Sequence, residues 1–249
     1  MPKLSVITVT YNCIETIEKT LLSVARQDYD SFEHIVIDGG SNDGTVDVIK
    51  KYKDNISCFI SEPDRGIYDA MNKGINRASG DWILFLNSGD VFFDNFDLSF
   101  IKWAWPLSAK FIFFSYIIDG AEAPIVPNLK MRFGLPTSHQ AMFTSSCILK
   151  KYKFNLGYKV ASDYEFFLKQ SKFFDDCIFL EDCIISHVLP GGYSALHYKR
   201  LKSEYFKIIY NNIGVKGALL YLFFNNQNLY RCIKNILPLK IFNFLKRVL

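Results

Sequence analysis

The chain contains 249 residues, of which 49% are hydrophobic and 16% are aromatic. A chain of this length and composition can bury one substantial core, which excludes intrinsic disorder as its main character. The formal net charge of +4 is too small to indicate a protein that binds nucleic acid.

The charge is unevenly distributed along the chain. From Gly191 to the C-terminus there are ten Lys and Arg residues and one acid, Glu204, so this segment has a formal charge of +9. The first 190 residues contain the other 19 basic and 24 acidic residues, which gives them a charge of −5. The sequence therefore combines an acidic body with a basic C-terminal tail.

Three features bear on the cellular compartment. The six cysteines include no C-x-x-C pair, and a chain of this length does not need disulfides to fold, which favours a reducing compartment. The N-terminus lacks the charged region, apolar core and cleavage site of a signal peptide. The most apolar stretch, Gly217 to Phe224, has eight residues, whereas a membrane-spanning helix needs about 20. We therefore expect a cytoplasmic protein that does not cross a bilayer.

Over the first 90 residues, short runs rich in β-branched residues alternate with segments of helical periodicity. The predicted strands are Lys3–Thr10, His34–Asp38, Ser57–Ser61 and Trp82–Asn87, and the predicted helices are Glu15–Arg26, Thr45–Tyr52 and Gly66–Ala78. This order predicts an α/β fold, with a doubly wound, mostly parallel sheet and helices on both faces. Ligands of such sheets bind beyond the carboxyl ends of the strands.

After Asp90 the alternation loosens. Aromatic runs at Phe111–Ile118 and Cys177–Leu180 predict further strands that complete the sheet and form the other wall of a cleft. From Tyr198 onward the pattern is helical, with Tyr205, Ile208, Ile209 and Ile213 on one side and a second apolar stripe at residues 241–248.

Polar residues follow three of the predicted strands, at Thr10–Asn12, Asp38–Gly44 and Asn87–Asp90. Asp90 ends Asn87-Ser88-Gly89-Asp90, where its carboxylate would suit a hard divalent cation bound to a diphosphate, although spacing alone favours an ordinary Ser-Gly-Asp turn. The glycine-rich stretch Asp38–Thr45 allows a ligand close to the backbone and to a helix N-terminus. The alternative is a strand-to-helix turn with Asp43 or Thr45 as its N-cap.

Ser162-Asp163-Tyr164-Glu165 has the pattern of a helix capping box formed by Ser162 and Glu165. Asp163 could then serve only to complement the helix dipole. A carboxylate at a helix N-terminus also tends to stay ionised, as a general base must be before it accepts a proton.

Four blocks of the first 90 residues resemble the family 2 glycosyltransferases of GT-A fold: Ser5–Asn12, Ile35–Thr45, Ser61–Gly74 and Gly80–Asp90. Three later blocks are similar to those of members that build bacterial surface polysaccharides: His139–Phe143, Ala161–Glu165 and Gly191–Ser194. The resemblance divides the chain into a transferase domain at 1–195 and a tail at 196–249. Within the domain it implies a nucleotide-binding half at about 1–90 and an acceptor-binding half at about 91–195.

The resemblance implies transfer of a sugar, with inversion, from a nucleotide-diphosphate donor to a hydroxyl of a glycan or lipid-linked acceptor. By position, the matched nucleotide-binding residues are Thr10, Tyr11, Asn12, Asp38, Asp64, Arg65 and Lys73. Asp90 matches the ligand of a divalent cation (Mn²⁺ or Mg²⁺), and Asp163 matches the base that deprotonates the acceptor. His139, Gln140, Glu165, Gly191 and Gly192 are assigned to the acceptor or donor sugar.

The sequence departs from the common family pattern twice. Gly39 stands where many relatives have a second Asp, which leaves the nucleotide base open, with UDP favoured. Asn87-Ser88-Gly89-Asp90 carries one carboxylate where many relatives have three, so metal affinity is expected to be modest.

Several residues have competing interpretations. His34 is expected to be structural, whereas His187 could complete the metal or diphosphate site. Phe92, Phe93, Trp103 and Trp105 could stack on a sugar but are better explained as core. The basic tail fits an amphipathic helix on an anionic membrane, at the inner face of the cytoplasmic membrane, and its alternatives are packing on the body or a homodimer contact.

The sequence also allows two other functions. The thinned metal motif would also fit a catalytically inactive protein that binds sugar nucleotides or serves as a scaffold. A nucleotide-sugar pyrophosphorylase shares a related design but normally carries a glycine-rich, basic N-terminal signature that this sequence lacks.

Overall fold

The computed structural model describes residues 3–28, 31–94, 96–101, 109–123, 125 and 133–225. Within them lie nine strands and eight α-helices. The strands are β1 (Leu4–Thr10), β2 (Phe32–Asp38), β3 (Cys58–Ser61), β4 (Trp82–Phe85), β5 (Val91–Phe92), β6 (Phe111–Ile118), β7 (Ala121–Ala123), β8 (Met142–Ser145) and β9 (Cys177–Val188). The helices are α1 (Ile17–Ala25), α2 (Thr45–Lys51), α3 (Ile67–Arg77), α4 (Ser146–Tyr152), α5 (Ser162–Lys169), α6 (Tyr193–Leu196), α7 (Tyr198–Ile213) and α8 (Val215–Asn225).

The strands form one sheet in the order β3-β2-β1-β4-β8-β6-β9-β5, with β7 paired to β6. The first four are parallel, as the alternation of strands and helices predicts. The second half adds antiparallel pairs at β4–β8, β8–β6 and β9–β5 and one parallel pair, β6–β9. The carboxyl ends of β1, β2 and β4 therefore lie at one edge of the sheet.

Both faces of the sheet are covered. Ile7 and Val9 of β1 pack in a core with α3, α4 and α5, whereas Leu4 and Val6 face a second core that includes Val24 of α1. Successive side chains of a strand point to opposite faces, so burial of both sets explains why β1 is apolar rather than alternating.

The predicted elements of the first 90 residues are confirmed, with their ends shifted by at most two residues. The predicted strand Cys177–Leu180 is only the first third of β9. Its continuation crosses Glu181 and Asp182, which are exposed where the pairing of β6 and β9 shifts register. Ser115 donates to the carbonyl of Glu181 at 2.6 Å across this irregularity, so a β-bulge carries the strand past two charged residues.

The described part of the tail packs on the body. Ile208 and Ile209 of α7 are fully buried in a cluster with Ala161, Tyr164 and Leu168 of the α5 region. The predicted apolar side of α7 is thus confirmed, and it faces protein. No helix among the described residues is long and apolar enough to span a bilayer. The predicted stripe at residues 241–248 lies outside the described residues.

The structure also decides between the structural and functional interpretations of several aromatic residues and of His34. Phe92 is 3% exposed and stacks on Phe96 in the core, and Phe93 packs against the same cluster. His34 is buried in β2 and hydrogen-bonded to Thr8 at 2.9 Å, and burial lowers its pKa to about 3. These residues are structural. Trp103 and Trp105 lie outside the described residues.

Candidate active site

The loops after β1 and β2 are joined by reciprocal hydrogen bonds. The N–H of Asn12 donates to Oγ of Ser41 at 2.8 Å, and the N–H of Asn42 donates to Oδ1 of Asn12 at 3.0 Å. Asn12 adopts a left-handed conformation (φ 49°), which Asn tolerates better than most residues. The two predicted nucleotide-binding loops are therefore hydrogen-bonded to each other and form one continuous surface.

Asp38 holds this surface in place through buried hydrogen bonds. The residue is fully buried, and its Oδ2 accepts hydrogen bonds from the N–H groups of Gly40 (3.1 Å) and Ser41 (2.9 Å) and from the hydroxyl of Ser61 (2.6 Å). Oδ1 accepts from the Ser41 hydroxyl. The carboxylate thus fixes the loops that follow β2 and β3, and it exposes no surface to a nucleotide.

Because Gly39 has no side chain, Asp64 and Tyr11 can lie close to its backbone. A Cβ at position 39 would lie 2.5 Å from Oδ2 of Asp64 and 3.3 Å from the Tyr11 ring. The Asp64 carboxylate is held by the N–H of Gly66 at 2.7 Å. Tyr11 is 61% exposed, so its ring is available to a ligand at this edge.

Arg65 and Lys73 flank the same loop. The Arg65 guanidinium is mostly exposed and pairs with Asp69 at 3.3 Å. Lys73 Nζ donates to the carbonyl of Pro63 at 2.9 Å and pairs with Glu62 at 2.8 Å. Both cations therefore lie beside the surface formed by Tyr11, Asn12 and Asp64.

Two buried polar atoms at this edge have no hydrogen-bond partner among the described residues. They are Oγ1 of Thr10, at the end of β1, and Oδ1 of Asn87, after β4. An unsatisfied buried polar group costs about 1–3 kcal/mol. A bound ligand that reached these atoms would remove that cost.

Asp90 is part of a buried clamp. Its side chain accepts from Nε2 of Gln140 at 2.7 Å and from the N–H of Leu189 at 2.9 Å, and the residue is 4% exposed. Burial raises the pKa of this carboxyl, against the lowering effect of the two hydrogen bonds. Asp90 thus joins the loop after β4 to two other segments: the turn before β8, which contains Gln140, and the residue after β9, Leu189.

The surroundings of Asp90 bear on the predicted cation site. Each carboxylate oxygen accepts one hydrogen bond and keeps a second lone pair. Gly89 has φ 99°, and a Cβ there would lie 2.8 Å from Leu189. His187 is paired in register with Val91 and is exposed near Asp90. The described residues contain no group of three or more His, Cys, Asp or Glu side chains placed to hold a metal.

Asp163 lies where the two halves of the chain meet. Its Oδ1 accepts from the Tyr68 hydroxyl at 2.9 Å and from the N–H of Tyr164 at 2.8 Å. Its Oδ2 lies 3.4 Å from Nδ1 of His139. The side chain is 14% exposed, so the carboxylate is held by protein groups and still reaches solvent.

His139 is oriented by Asn87. Nδ2 of Asn87 lies 2.8 Å from Nε2 of His139. Because an amide nitrogen can only donate, Nε2 is the acceptor, and the proton of a neutral ring is on Nδ1, facing Asp163. The polar strand end at residues 87–90, the His139-Gln140 turn and Asp163 therefore form one connected cluster.

Other predicted site residues lie elsewhere. Glu165 is buried, pairs with Lys169 and accepts from Asn155 at 3.4 Å, so its carboxylate is not joined to the Asp163 cluster. The predicted capping box is wrong, because α5 has Ala161 at its N-cap position and the Ser162 hydroxyl donates to the carbonyl of Asn155. Gly191 and Gly192 are exposed before α6.

The sequence did not predict the roles of three residues in this region: Tyr68, which contacts Asp163, Asn87, which contacts His139, and Glu204, which contacts the segment before α5. Tyr68 lies within a matched block, but its hydroxyl meets Asp163, 95 positions farther along the chain, only in the folded protein. Glu204 did carry a signal, since it is the one acid of the basic tail.

Comparison with known proteins shows the family. Residues 5–146 match the model of glycosyl transferase family 2. An uncharacterized glycosyltransferase of Mycobacterium tuberculosis is 35% identical over 179 residues, which cover 68% of each chain. TuaG of Bacillus subtilis, named for teichuronic acid biosynthesis, is 38% identical over 92 residues, or 36% of each chain.

Two solved structures share the fold. TarS 1–349 of Staphylococcus aureus, in complex with UDP-GlcNAc, matches 96% of this chain and 77% of that chain, with a TM-score of 0.67 and 19% identity. The mannosyltransferase PcManGT of Pyrobaculum calidifontis, with GDP-Man and Mn²⁺, matches 99% and 79%, with a TM-score of 0.68 and 17% identity. The fold is thus the GT-A fold, and the chain belongs to glycosyl transferase family 2, a family of glycosyltransferase enzymes.

Proposed function

We propose that this protein is an inverting glycosyltransferase that moves a sugar from a nucleotide-diphosphate donor to a hydroxyl of a glycan or lipid-linked acceptor. The observation that carries the proposal is the Asp163 carboxylate, which is held by Tyr68 and faces His139 beside the nucleotide-side strand ends. Such a group can act as a general base only if it is fixed within reach of the substrate and stays accessible.

In the proposed reaction, the acceptor hydroxyl oxygen attacks the anomeric carbon of the donor while the bond from that carbon to the diphosphate oxygen breaks. The hydroxyl proton goes to Asp163, and the nucleoside diphosphate leaves. Tyr68 fixes one carboxylate oxygen, and His139 lies against the other. His139 lies between Asp163 and Asn87, and we assign it to the binding of the acceptor or donor sugar. Gln140 contributes indirectly, because its side chain donates a hydrogen bond to Asp90.

The nucleotide side of the proposed site is the surface around Tyr11, Asn12 and Asp64, with Thr10 beneath it. The orphaned Thr10 hydroxyl and the exposed Tyr11 ring support this assignment. Arg65 and Lys73 are the cations beside this surface, and a bound diphosphate would compete for them with their present partners, Asp69 and Glu62. UDP is the favoured nucleotide, in keeping with the UDP-GlcNAc complex of TarS, although PcManGT binds GDP-Man.

A divalent cation stays a prediction. Family 2 enzymes of GT-A fold commonly use one, and PcManGT is seen with Mn²⁺. Bound beside the diphosphate, a cation would neutralise the charge of the leaving group. Asp90, with His187 as a second ligand, would hold such a cation, since each Asp90 oxygen accepts only one hydrogen bond and keeps a lone pair for a metal.

The proposed setting is the synthesis of bacterial surface polysaccharide, such as capsule, O-antigen or exopolysaccharide, at the cytoplasmic face of the membrane. The teichuronic acid assignment of TuaG supports this setting. Val215, Leu219 and Leu222 form an exposed apolar stripe on α8, next to the basic α7. Such a surface fits an anionic membrane, and a homodimer contact is the competing occupant.

Co-sedimentation with vesicles tests the membrane part. Binding to phosphatidylglycerol vesicles, absent with phosphatidylcholine alone and lost in Leu219→Glu, is the expected result. Concentration-dependent dimerisation without vesicle binding would assign the stripe to a second copy of the chain.

The transfer itself is tested by a binding and turnover screen. Thermal-shift measurements with nucleoside diphosphates and their sugars, with and without Mn²⁺, should show stabilisation by one donor class, since a ligand of the folded state raises apparent stability. The donor that binds should then release its nucleoside diphosphate when an acceptor is present. Binding without any release would favour the inactive sugar-nucleotide-binding alternative, and pyrophosphate-dependent formation of a nucleoside triphosphate would indicate a pyrophosphorylase.

A further inference from the structure

Glu204 of α7 is buried against the segment that leads into α5. Its two carboxylate oxygens accept hydrogen bonds from three consecutive backbone N–H groups, those of Lys159 (3.0 Å to each oxygen), Val160 (2.8 Å) and Ala161 (3.1 Å). Nε of Arg200 donates to the same carboxylate at 2.9 Å. The residue is 6% exposed.

This arrangement favours a charged carboxylate in a buried place. Burial alone would raise the pKa of Glu204, but the backbone donors and Arg200 outweigh it and the pKa is lowered. Charge-assisted hydrogen bonds of this kind are about twice as strong as neutral ones. The clamp therefore fixes the backbone of residues 159–161 more firmly than neutral partners would.

The clamped segment runs directly into the turn that carries Asp163. Ala161 is the N-cap residue of α5, and Asp163 is the second residue of that helix. The carbonyl of Val160 and Oδ1 of Asp163 both lie 2.9 Å from the Tyr68 hydroxyl. Fixing the backbone at 159–161 thus fixes the geometry of Tyr68 and Asp163 together.

Helix α7 is held against α5 over more than this one contact. The rings of Tyr164 and Tyr205 stack with centroids 4.3 Å apart and an interplanar angle of 10°. Ile208 and Ile209, one turn farther along α7, are fully buried. The carboxylate of Glu204 is therefore carried by a helix that packs against α5 through buried side chains.

We propose that Glu204 is a positioning residue for Asp163, and that α7 is part of the catalytic apparatus. This inference rests on the proposed function of Asp163 as the base. Because Glu204 touches neither substrate in this arrangement, its loss should lower kcat and leave donor affinity unchanged. A displacement of about 1 Å in a catalytic group can reduce turnover by about 100-fold.

Glu33 provides a matched control. Its side chain is mostly buried (12% exposed, against 8% for the side chain of Glu204) and also accepts from backbone N–H groups, those of Ser79 (2.6 Å) and Gly80 (3.1 Å). Its pKa is lowered as well. Glu33 lies near the start of β2, at the opposite edge of the sheet from the site, so it shares the clamp without the link to Asp163.

The experiment compares Glu204→Gln, Glu204→Asp and Glu33→Gln in the full chain, at a temperature well below each variant's Tm. Glu204→Gln should lose at least 10-fold in kcat with an unchanged donor Kd, and Glu204→Asp, which keeps the charge on a shorter side chain, should lose less. Glu33→Gln should lower Tm and keep the wild-type kcat. If Glu204→Gln does not fold, the same comparison is made with Glu204→Asp.

Parallel measurement of wild type and Asp163→Asn separates the two levels of inference. If Asp163→Asn is inactive while Glu204→Gln and Glu204→Asp keep wild-type kcat, the positioning role is wrong and the proposed function stands. Equal losses of kcat in the Glu204 and Glu33 variants would also overturn it, because they would reflect general destabilisation. If Asp163→Asn keeps full turnover, the proposed base itself is wrong.

Discussion

Nδ1 of His139 lies 3.4 Å from Oδ2 of Asp163, although the two residues belong to separate elements of the second part of the chain. Nε2 of the same ring contacts Asn87, which follows β4. One imidazole thus connects the candidate base to the edge of the parallel sheet. Sugar transfer requires donor and acceptor to meet, and the proposed function puts that meeting point beside this contact.

The candidate base gives the first prediction. Asp163→Asn keeps the size of the side chain and removes its capacity to take a proton, so transfer should fall by about 10²–10⁴-fold, the usual contribution of a general base. Donor affinity, measured by isothermal titration, should stay within twofold of wild type. Asp54→Asn, an exposed site at the other edge of the sheet, should leave turnover unchanged. Undiminished turnover in Asp163→Asn would remove Asp163 as the base.

The orphaned hydroxyl of Thr10 gives the second. Thr10→Val removes a buried polar atom without a partner, so the free energy of unfolding of the ligand-free protein should stay the same or rise. If the hydroxyl binds the donor, donor Kd should rise by about 3–10-fold, as expected for one hydrogen bond of about 0.5–1.5 kcal/mol.

Thr20→Val is the control for that variant. The Thr20 hydroxyl is also buried, but it donates to the carbonyl of Asp90 at 2.8 Å and accepts from the N–H of Gly89 at 2.9 Å. Its removal should lower the free energy of unfolding by about 1–3 kcal/mol. A Thr10→Val protein with wild-type donor affinity would show that the hydroxyl does not contact the nucleotide.

The clamp at Asp90 gives the third. Asn at this position has one acceptor oxygen for two donors, Gln140 Nε2 and the N–H of Leu189, so one donor loses its partner. Asp90→Asn should therefore lower the free energy of unfolding by about 1–3 kcal/mol. If Asp90 also holds a cation, as proposed, the effect of Mn²⁺ on donor affinity should be lost in the variant. An unchanged Tm would contradict the clamp, and a persistent Mn²⁺ effect would remove Asp90 as a metal ligand.

The buried side chain of His34 gives the fourth prediction, which concerns the dependence of stability on pH. The folded-state pKa of His34 is about 3, below the value of about 6.5 for an unfolded chain. Between these values the unfolded state binds the extra proton, so the stability contributed by neutral His34 is present above pH 6.5 and is lost as pH falls.

Urea unfolding of wild type and His34→Gln at several pH values measures this effect. The difference between their unfolding free energies should shift against wild type by about 1.4 kcal/mol for each pH unit below 6.5. His197→Gln, an exposed site, should show no such trend relative to wild type. Parallel curves for wild type and His34→Gln from pH 7 to 4.5 would contradict burial of a neutral His34.

Much of the fold was predictable because its determinants are local. The spacing of apolar residues in β1 and α1, and the turn residues between β2 and α2, specify those elements within two residues of their observed ends. The matched blocks likewise place Tyr11, Asn12 and Asp64 at one edge, since the carboxyl ends of parallel strands must meet there. Family membership follows from the same blocks.

The remaining features depend on contacts between residues far apart in sequence. The sequence by itself determined the parallel half of the sheet, the polar strand ends and Asp163 as the candidate base. Only the tertiary structure decided that Asp90 is buried under Gln140, that Tyr68 meets Asp163, and that Glu204 holds the segment before α5. The physical reason is that burial and hydrogen bonding belong to a place in the folded chain, where residues 44 to 95 positions apart come into contact, and no local pattern of residue types encodes which partners will be there.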